Sequence, residues 1–166
     1  MQPSWCAPAL ILIVGLSAPL TAAPRTTEAF ESSDFCKKLG HFEKKSWTLK
    51  TGGTNASYTF VDPDSGNSEP SLGVELLVVA NQVKDISIGW SPYDSPVKWT
   101  SGKSEQVKNL LKFWGAPNMS EELVVYAKAH FRDNYPNGVG NAAHKPVGSL
   151  SVQCGRTGND VYLAWK

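Results

Sequence analysis

The sequence holds few of the residues that usually build metal centres and nucleophilic active sites. Its 166 residues include only three cysteines and three histidines. No two cysteines have the CxxC spacing of a zinc or redox motif. GxSxG, HExxH and glycine-rich phosphate-binding motifs are also missing. We therefore expect no metal and no cofactor, and no catalytic signature assigns the chain to a known class of enzyme.

Neither sign of charge predominates. The chain has 16 basic and 15 acidic residues, a formal net charge of +1. Nucleic-acid-binding domains usually gather a basic excess on one face. The only local group of basic residues lies between residues 37 and 50, and Glu43 together with the preceding Glu31 and Asp34 dilutes it. The sequence therefore predicts no nucleic-acid partner.

No apolar run is long enough to span a membrane, which takes about 20 residues. The longest run, residues 9–16, is followed by small residues, among them Ala22 and Ala23. This arrangement is typical of a secretory signal peptide and its cleavage site. We predict a signal peptide over residues 1–22, a flexible tail over 23–30 and a single domain over 31–166. The protein would be secreted or periplasmic, with no membrane insertion after cleavage.

Removal of the signal peptide would leave Cys36 and Cys154 as the only cysteines. An even pair of cysteines in an exported chain predicts a disulfide. A bridge between these residues would close a loop over most of the domain. Metal binding by the pair is disfavoured because the cysteines are far apart and the histidines are scattered.

Strand-like and helix-like segments come in blocks along the chain. Residues 45–50 and 56–61 alternate like the strands of a hairpin, and so do residues 73–80 and 83–90 around Asn81 and Gln82. Two helices follow, and residues 149–154 and 161–165 form a closing hairpin. A short helix after Ser33 precedes them all. This order, α-β-β-β-β-α-α-β-β, predicts an α+β fold with an antiparallel sheet of about six strands and two or three helices packed on one face.

The predicted helices have clear apolar stripes. Val107, Leu110, Leu111 and Trp114 have the i, i+3, i+4, i+7 spacing of a helix that packs against a core. His130 falls on the stripe of the next helix. We interpret it as a core histidine bonded to backbone rather than as a ligand or a base.

The segment WSPYDSPVKW, residues 90–99, is the strongest candidate for a binding loop. Its two prolines stiffen the chain, so side chains displayed on it would lose little entropy on binding. Tyrosine and tryptophan are favoured at binding hot spots. We predict Tyr93, Trp99, Asp94 and Lys98 as binding residues. Trp90 continues the alternation of a buried strand, and we place it in the core.

Three functions from different classes remain open. The leading hypothesis is an exported binding or inhibitor-like module that recognises another protein or an envelope component. A small secreted hydrolase-like enzyme is the first alternative. Its best candidate for a catalytic residue is His144, which lies with Asn141, Lys145 and Tyr135 in the long connection between the second predicted helix and the closing hairpin. A carrier of an apolar ligand is the second, and a deep pocket lined by Trp47, Leu77 and Phe131 would favour it.

The loop of residues 62–69 carries the oxygen ligands that calcium prefers, including Asp62, Asp64, Asn67 and Glu69. The same residue types are common in turns, and the spacing differs from that of an EF-hand loop. We therefore interpret the segment as an ordinary turn. The oligomeric state stays open.

Overall fold

The computed structural model describes residues 25–66, 68–91, 98–130, 145–157 and 160–166. In these residues it contains seven β-strands: β1 (Phe42–Thr48), β2 (Thr54–Val61), β3 (Pro70–Val79), β4 (Gln82–Trp90), β5 (Lys145–Val147), β6 (Leu150–Thr157) and β7 (Asp160–Trp165). It also contains four α-helices: α1 (Thr27–Glu31), α2 (Asp34–Leu39), α3 (Ser101–Trp114) and α4 (Ser120–His130). A short 3-10 helix, Pro117–Met119, precedes α4.

The strands form one antiparallel sheet in the order β1-β2-β3-β4-β7-β6-β5. The predicted α+β class and the predicted block order of strands and helices are confirmed. The seventh strand is β5, in a segment interpreted as part of a long connection. A strand of three residues is too short to show alternation, and Pro146 within it is tolerated because β5 lies at the edge of the sheet.

The core lies between one face of the sheet and the helices. Ile86, Ile88 and Trp90 alternate along β4, and their partners across β7 are also fully buried. Toward the β1 edge, the ring of Phe30 packs 4.7 Å from that of Tyr58, between centroids. None of the helices in the described residues is long and apolar enough to cross a membrane.

Helix α1 occupies the second half of the segment predicted as a flexible tail. The hydroxyl of Thr26 caps the helix by accepting a hydrogen bond from the Ala29 N–H. Phe30 is fully buried among aromatic rings. Phe30 is the only residue that anchors this helix, and a single apolar residue gives no periodic pattern from which a helix could be predicted.

The opposite face of the sheet carries a row of glycines. Gly73 lies opposite Gly89, and Tyr162 lies opposite both Gly89 and Gly155. A Cβ atom at Gly155 would overlap the ring of Tyr162, so this ring lies directly against the backbone of β6. Glycine within a strand often marks a place where another group approaches closely. Here that group is the Tyr162 ring.

Candidate functional site

A buried polar network joins the loop after β2 to the first turns of α3. Asp62 is buried, and its carboxylate lies 3.2 Å from the Lys103 ammonium, measured from Oδ2 to Nζ. Its other oxygen accepts a hydrogen bond of 3.0 Å from the Gln106 amide. Gln106 in turn accepts a 2.7 Å hydrogen bond from the Trp90 indole N–H. Each polar side chain of this network is thus paired, as is usual for buried polar groups.

Asp64 in the same loop holds the start of α3. Thr100 is the N-cap residue, and its hydroxyl accepts a hydrogen bond from the Lys103 N–H and donates one to the Asp64 carboxylate. A Cβ atom at Gly102 would overlap that carboxylate. Gly102 is therefore required by the close approach of Asp64. A negative side chain at this place also complements the positive end of the helix dipole.

Substituting Gly102 tests this close approach. Gly102→Ala is expected to lower the free energy of unfolding by about 1 kcal/mol, because the methyl group displaces Asp64 from Thr100. In an Asp64→Ala background the same substitution is expected to stabilise by up to about 1 kcal/mol, the usual helix preference for alanine. Urea denaturation of the four proteins measures both effects. The same sign in both backgrounds would show that Asp64 does not occupy the space beside Gly102.

Trp99 is fixed at the entrance to this network. Its indole N–H donates a 2.8 Å hydrogen bond to the Ser104 hydroxyl, which itself donates to the Thr100 carbonyl. Its ring packs edge-on against Trp90, with the two centroids 6.3 Å apart and the planes at 70°. Trp99 is half-buried. One part of the ring is held rigidly while another part is accessible to a ligand.

An open groove lies beside Trp99 along the exposed side of α3. Its volume is about 460 Å³, and it is lined by Trp99, Thr100, Ser101, Ser104, Glu105, Lys108 and Lys128. Ligand-binding clefts are commonly about 300–1,000 Å³. One aromatic residue, three hydroxyl-bearing residues, one glutamate and two lysines therefore line one concave surface. This arrangement can bind a polar segment that also offers an apolar contact.

A second groove, of about 330 Å³, lies between the α1–α2 segment and α3. Its two charged residues, Asp34 and Lys112, form an ion pair with each other. Phe113 and Ala29 are the apolar residues of its lining. Because its charges are already compensated, this groove offers less for recognition than the groove beside Trp99.

The predicted binding residues fall into two groups. Trp99 lines the groove, whereas Lys98 is exposed but is not among the residues that line it. Tyr93 and Asp94 lie outside the described residues. The prediction that Trp90 belongs to the core is confirmed, since it is 1% exposed.

The loop of residues 62–69 uses its carboxylates within the protein. Asp62 and Asp64 bind protein groups, as given above, and Asn67 lies outside the described residues. Among the residues that the structure describes, no group of three or more histidine, cysteine or acidic side chains is placed to hold a metal ion. The loop is thus a structural brace for α3.

The predicted disulfide between Cys36 and Cys154 is absent, and both thiols are buried and free. Phe35, next to Cys36, packs on Phe60 of β2, whereas Cys154 lies on β6, four strands away across the sheet. Four strand spacings amount to about 19 Å. A disulfide needs about 4.4–6.8 Å between Cα atoms. The fold therefore keeps the two cysteines apart.

Burial also makes both thiols poor nucleophiles. It raises the pKa of Cys36 to about 11 and that of Cys154 to about 12. The thiolate is the reactive form. Neither cysteine is therefore suited to nucleophilic catalysis near neutral pH.

Thiol titration checks the absence of the disulfide. In denaturant and without reductant, the purified protein is expected to show three reactive thiols if Cys6 is retained, or two if it is removed with the signal peptide. Reductant is expected to leave the melting temperature unchanged. A count of one or no thiols, together with a lower melting temperature in reductant, would show that Cys36 and Cys154 form a disulfide.

Few of the described residues support the alternative hypotheses of an enzyme and a carrier. His144, Asn141, Tyr135 and Phe131 lie outside them, and Lys145 is exposed on β5. Trp47 and Leu77 lie in one cross-strand row on the sheet face turned away from the helices, and Trp47 is 45% exposed. Alternation along the strands therefore separates these two residues from the core that a carrier pocket would have to occupy.

Sequence reasoning missed the members of the buried network. Lys103 stands four residues before Val107, so it falls on the apolar stripe of α3. A charged residue at a core position is a signal for a buried partner. Gln106 carries the same signal, because it lies four residues before Leu110. The partner, Asp62, comes from a loop that no local pattern connects to α3.

Comparison with known proteins provides no relative. No protein family, no curated protein and no solved structure matches this chain. The function of the groove must therefore be inferred from its own geometry and charge.

Proposed function

We propose that the protein is an exported binding module that recognises another protein or an envelope component through the groove beside Trp99. The observation that carries this proposal is the half-buried Trp99 ring, fixed on both sides and open to a groove that also contains two lysines. Tryptophan anchors of this kind are common at the centres of protein interfaces.

The groove is organised before any ligand arrives. Trp99 is held by Ser104 and by Trp90, and Trp90 is held by Gln106. Gln106 is in turn fixed by the buried Asp62. A rigid anchor loses little conformational entropy on binding, so more of its contact energy appears as affinity.

The enzyme and carrier hypotheses have weaker support. The one buried ion pair of the described residues, Lys103–Asp62, is saturated by structural hydrogen bonds and does not line the groove. The helix-covered face of the sheet is filled by side chains such as Ile88, Trp90 and Leu163, which are at most 1% exposed. A binding function needs neither a free catalytic group nor an internal cavity.

Export rests on the sequence alone. The apolar run of residues 9–16 and the small residues that follow it support a signal peptide over residues 1–22. The cysteines lend no support, because they are free in the fold. Secretion or delivery to the periplasm is therefore part of the proposal.

Affinity capture from the native exported fraction, followed by measurement of affinity for the purified partner, tests this function. Trp99→Ala is expected to weaken binding by about 2 kcal/mol, or about 30-fold. Trp47→Ala is the matched control, because it removes an exposed tryptophan from the opposite face of the sheet. Its affinity is expected to equal that of the wild type.

Trp99→Phe guards against loss of folding, since it keeps an aromatic ring against Trp90. Thermal melts of all variants establish that the compared proteins are folded. Unchanged affinity in both Trp99 variants, or a loss confined to Trp47→Ala, would contradict the proposal.

A further inference from the structure

We infer that the partner presents an acidic, extended polypeptide segment to the groove beside Trp99. This inference rests on the proposed function and specifies the chemistry of the partner. It follows from which charges around the groove are compensated within the protein and which are not.

The lysines of α3 differ in their partners. Lys103 is paired with the buried Asp62, and Lys112 is paired with Asp34. Lys108, between them, lines the groove and forms no ion pair within the part of the chain that the structure describes. The same holds for Lys128 of α4, on the other side of the groove. Neither lysine thus forms an ion pair in the described residues, although Lys108 is close enough to Glu105 to help lower the pKa of that carboxyl.

The one acidic residue of the groove cancels only part of the charge of its two lysines. Glu105 lies 2.7 Å from the Lys38 ammonium, between Oε1 and Nζ. That hydrogen bond holds the pKa of Glu105 below its usual value, and Glu105 stays ionised and paired. With Glu105 paired to Lys38, the two lysines that line the groove leave its surroundings with a net positive charge.

The position of these charges favours a segment over a single small anion. The positive end of α3 is already complemented by the internal carboxylate of Asp64, so no anion is needed there. Lys108 and Lys128 lie on two different helices, and Trp99 adds an aromatic contact at the start of α3. Acidic side chains on an extended chain could pair with the lysines while an apolar part of the chain packs on the ring.

The charge pattern also separates an acidic protein from a nucleic acid. Duplex binding usually takes a basic stripe with many phosphate contacts. Here the other lysines of α3 are neutralised, and the chain as a whole carries only +1. Complementarity with a short row of carboxylates is the better match.

Fluorescence anisotropy of a labelled short polyglutamate peptide, titrated with the purified protein, tests the inference. Saturable binding is expected at low ionic strength. Raising the ionic strength from about 0.01 M to about 0.15 M shortens the Debye length from about 30 Å to about 8 Å and is expected to weaken binding several-fold. The double variant Lys108→Glu/Lys128→Glu is expected to bind at least about tenfold more weakly.

The matched control is Lys50→Glu/Lys84→Glu. It makes the same change in net charge at exposed lysines near the hairpin turns, at the opposite end of β4 from Trp90. When the variants are compared at about 0.15 M ionic strength, this control is expected to bind within about twofold of the wild type, since its charges are then more than a Debye length from the groove. Labelled polylysine and a labelled single-stranded oligonucleotide, each titrated with the protein in a separate experiment, are expected to bind more weakly than polyglutamate.

Three results would overturn the inference: no saturable polyglutamate binding, equal loss in the two double variants, or stronger binding of the oligonucleotide than of polyglutamate. Affinity measurements with the captured native partner distinguish failure of this inference from failure of the proposed function. If Trp99→Ala lowers the affinity for that partner while Lys108→Glu/Lys128→Glu and added salt do not, the groove binds a partner that is not acidic. If Trp99→Ala has no effect, the proposed function itself is wrong.

Discussion

Replacing Lys103 with methionine is expected to lower the free energy of unfolding by about 3–5 kcal/mol, the usual cost of removing one partner of a buried ion pair. The side chains of Lys103 and Asp62 are only 6% and 4% exposed. Without the ammonium group, the Asp62 carboxylate would stay buried with a hydrogen bond from Gln106 but no compensating charge. Chemical denaturation measures the loss.

Two comparisons make this prediction specific. Lys112→Met removes a lysine of the same helix from an exposed ion pair, with side chains 64% and 47% exposed, and is expected to cost less than about 1 kcal/mol. Adding Asp62→Asn to Lys103→Met is expected to recover part of the loss, because it removes the uncompensated charge. Equal costs for Lys103→Met and Lys112→Met would show that the Lys103–Asp62 pair is not buried as described.

Trp90→Ala is expected to cost about 3–5 kcal/mol, as truncation of a fully buried aromatic side chain does. The indole fills the space between β4 and α3, and its N–H satisfies the buried Gln106 oxygen. Removing it creates a cavity and leaves that oxygen without its donor. The loss of free energy of unfolding is read from denaturation curves.

Trp90→Phe divides this cost into its parts. It keeps most of the ring volume but removes the N–H donor, so a cost of about 1–3 kcal/mol is expected from the unsatisfied Gln106 oxygen. Trp47→Ala, at a position 45% exposed, is expected to change stability by less than about 1 kcal/mol. A Trp90→Ala protein as stable as Trp47→Ala would place Trp90 outside the core.

Alternation and periodicity identified the parts of the fold that have one buried face. Ile86, Ile88 and Trp90 alternate because β4 has the helices on one side only. The stripe that runs from Val107 to Leu111 marked the buried face of α3 for the same reason. Such patterns are local, so a single sequence was enough to reveal them.

Features that depend on long-range placement were out of reach. The cysteine pair led to a disulfide that the strand order forbids, since Cys36 lies over the β1–β2 side of the sheet and Cys154 lies on β6. The glycine row formed by Gly73 and Gly89 arises only from the register of β3 against β4. Local sequence patterns predict neither the order of the strands nor their register.

The candidate groove could be predicted only in part. The aromatic richness of residues 90–99 drew attention to Trp99, and Trp99 does line the groove. Lys108 and Lys128 looked like ordinary exposed lysines, because nothing in the sequence shows that a groove lies between α3 and α4. The compensation of Glu105 by Lys38 was equally hidden, since 67 residues separate them.

The indole N–H resonances of the tryptophans provide the most direct test of the binding surface. Five tryptophans follow residue 22: Trp47, Trp90, Trp99, Trp114 and Trp165. In that order, they report on the open face of the sheet, the core beneath α3, the groove, the end of α3 and strand β7. In a nitrogen-15 correlation spectrum recorded with and without the captured partner, the Trp99 resonance is expected to shift most and that of Trp47 to stay in place. A large shift of Trp47 with an unmoved Trp99 resonance would contradict the assignment of the groove as the binding surface.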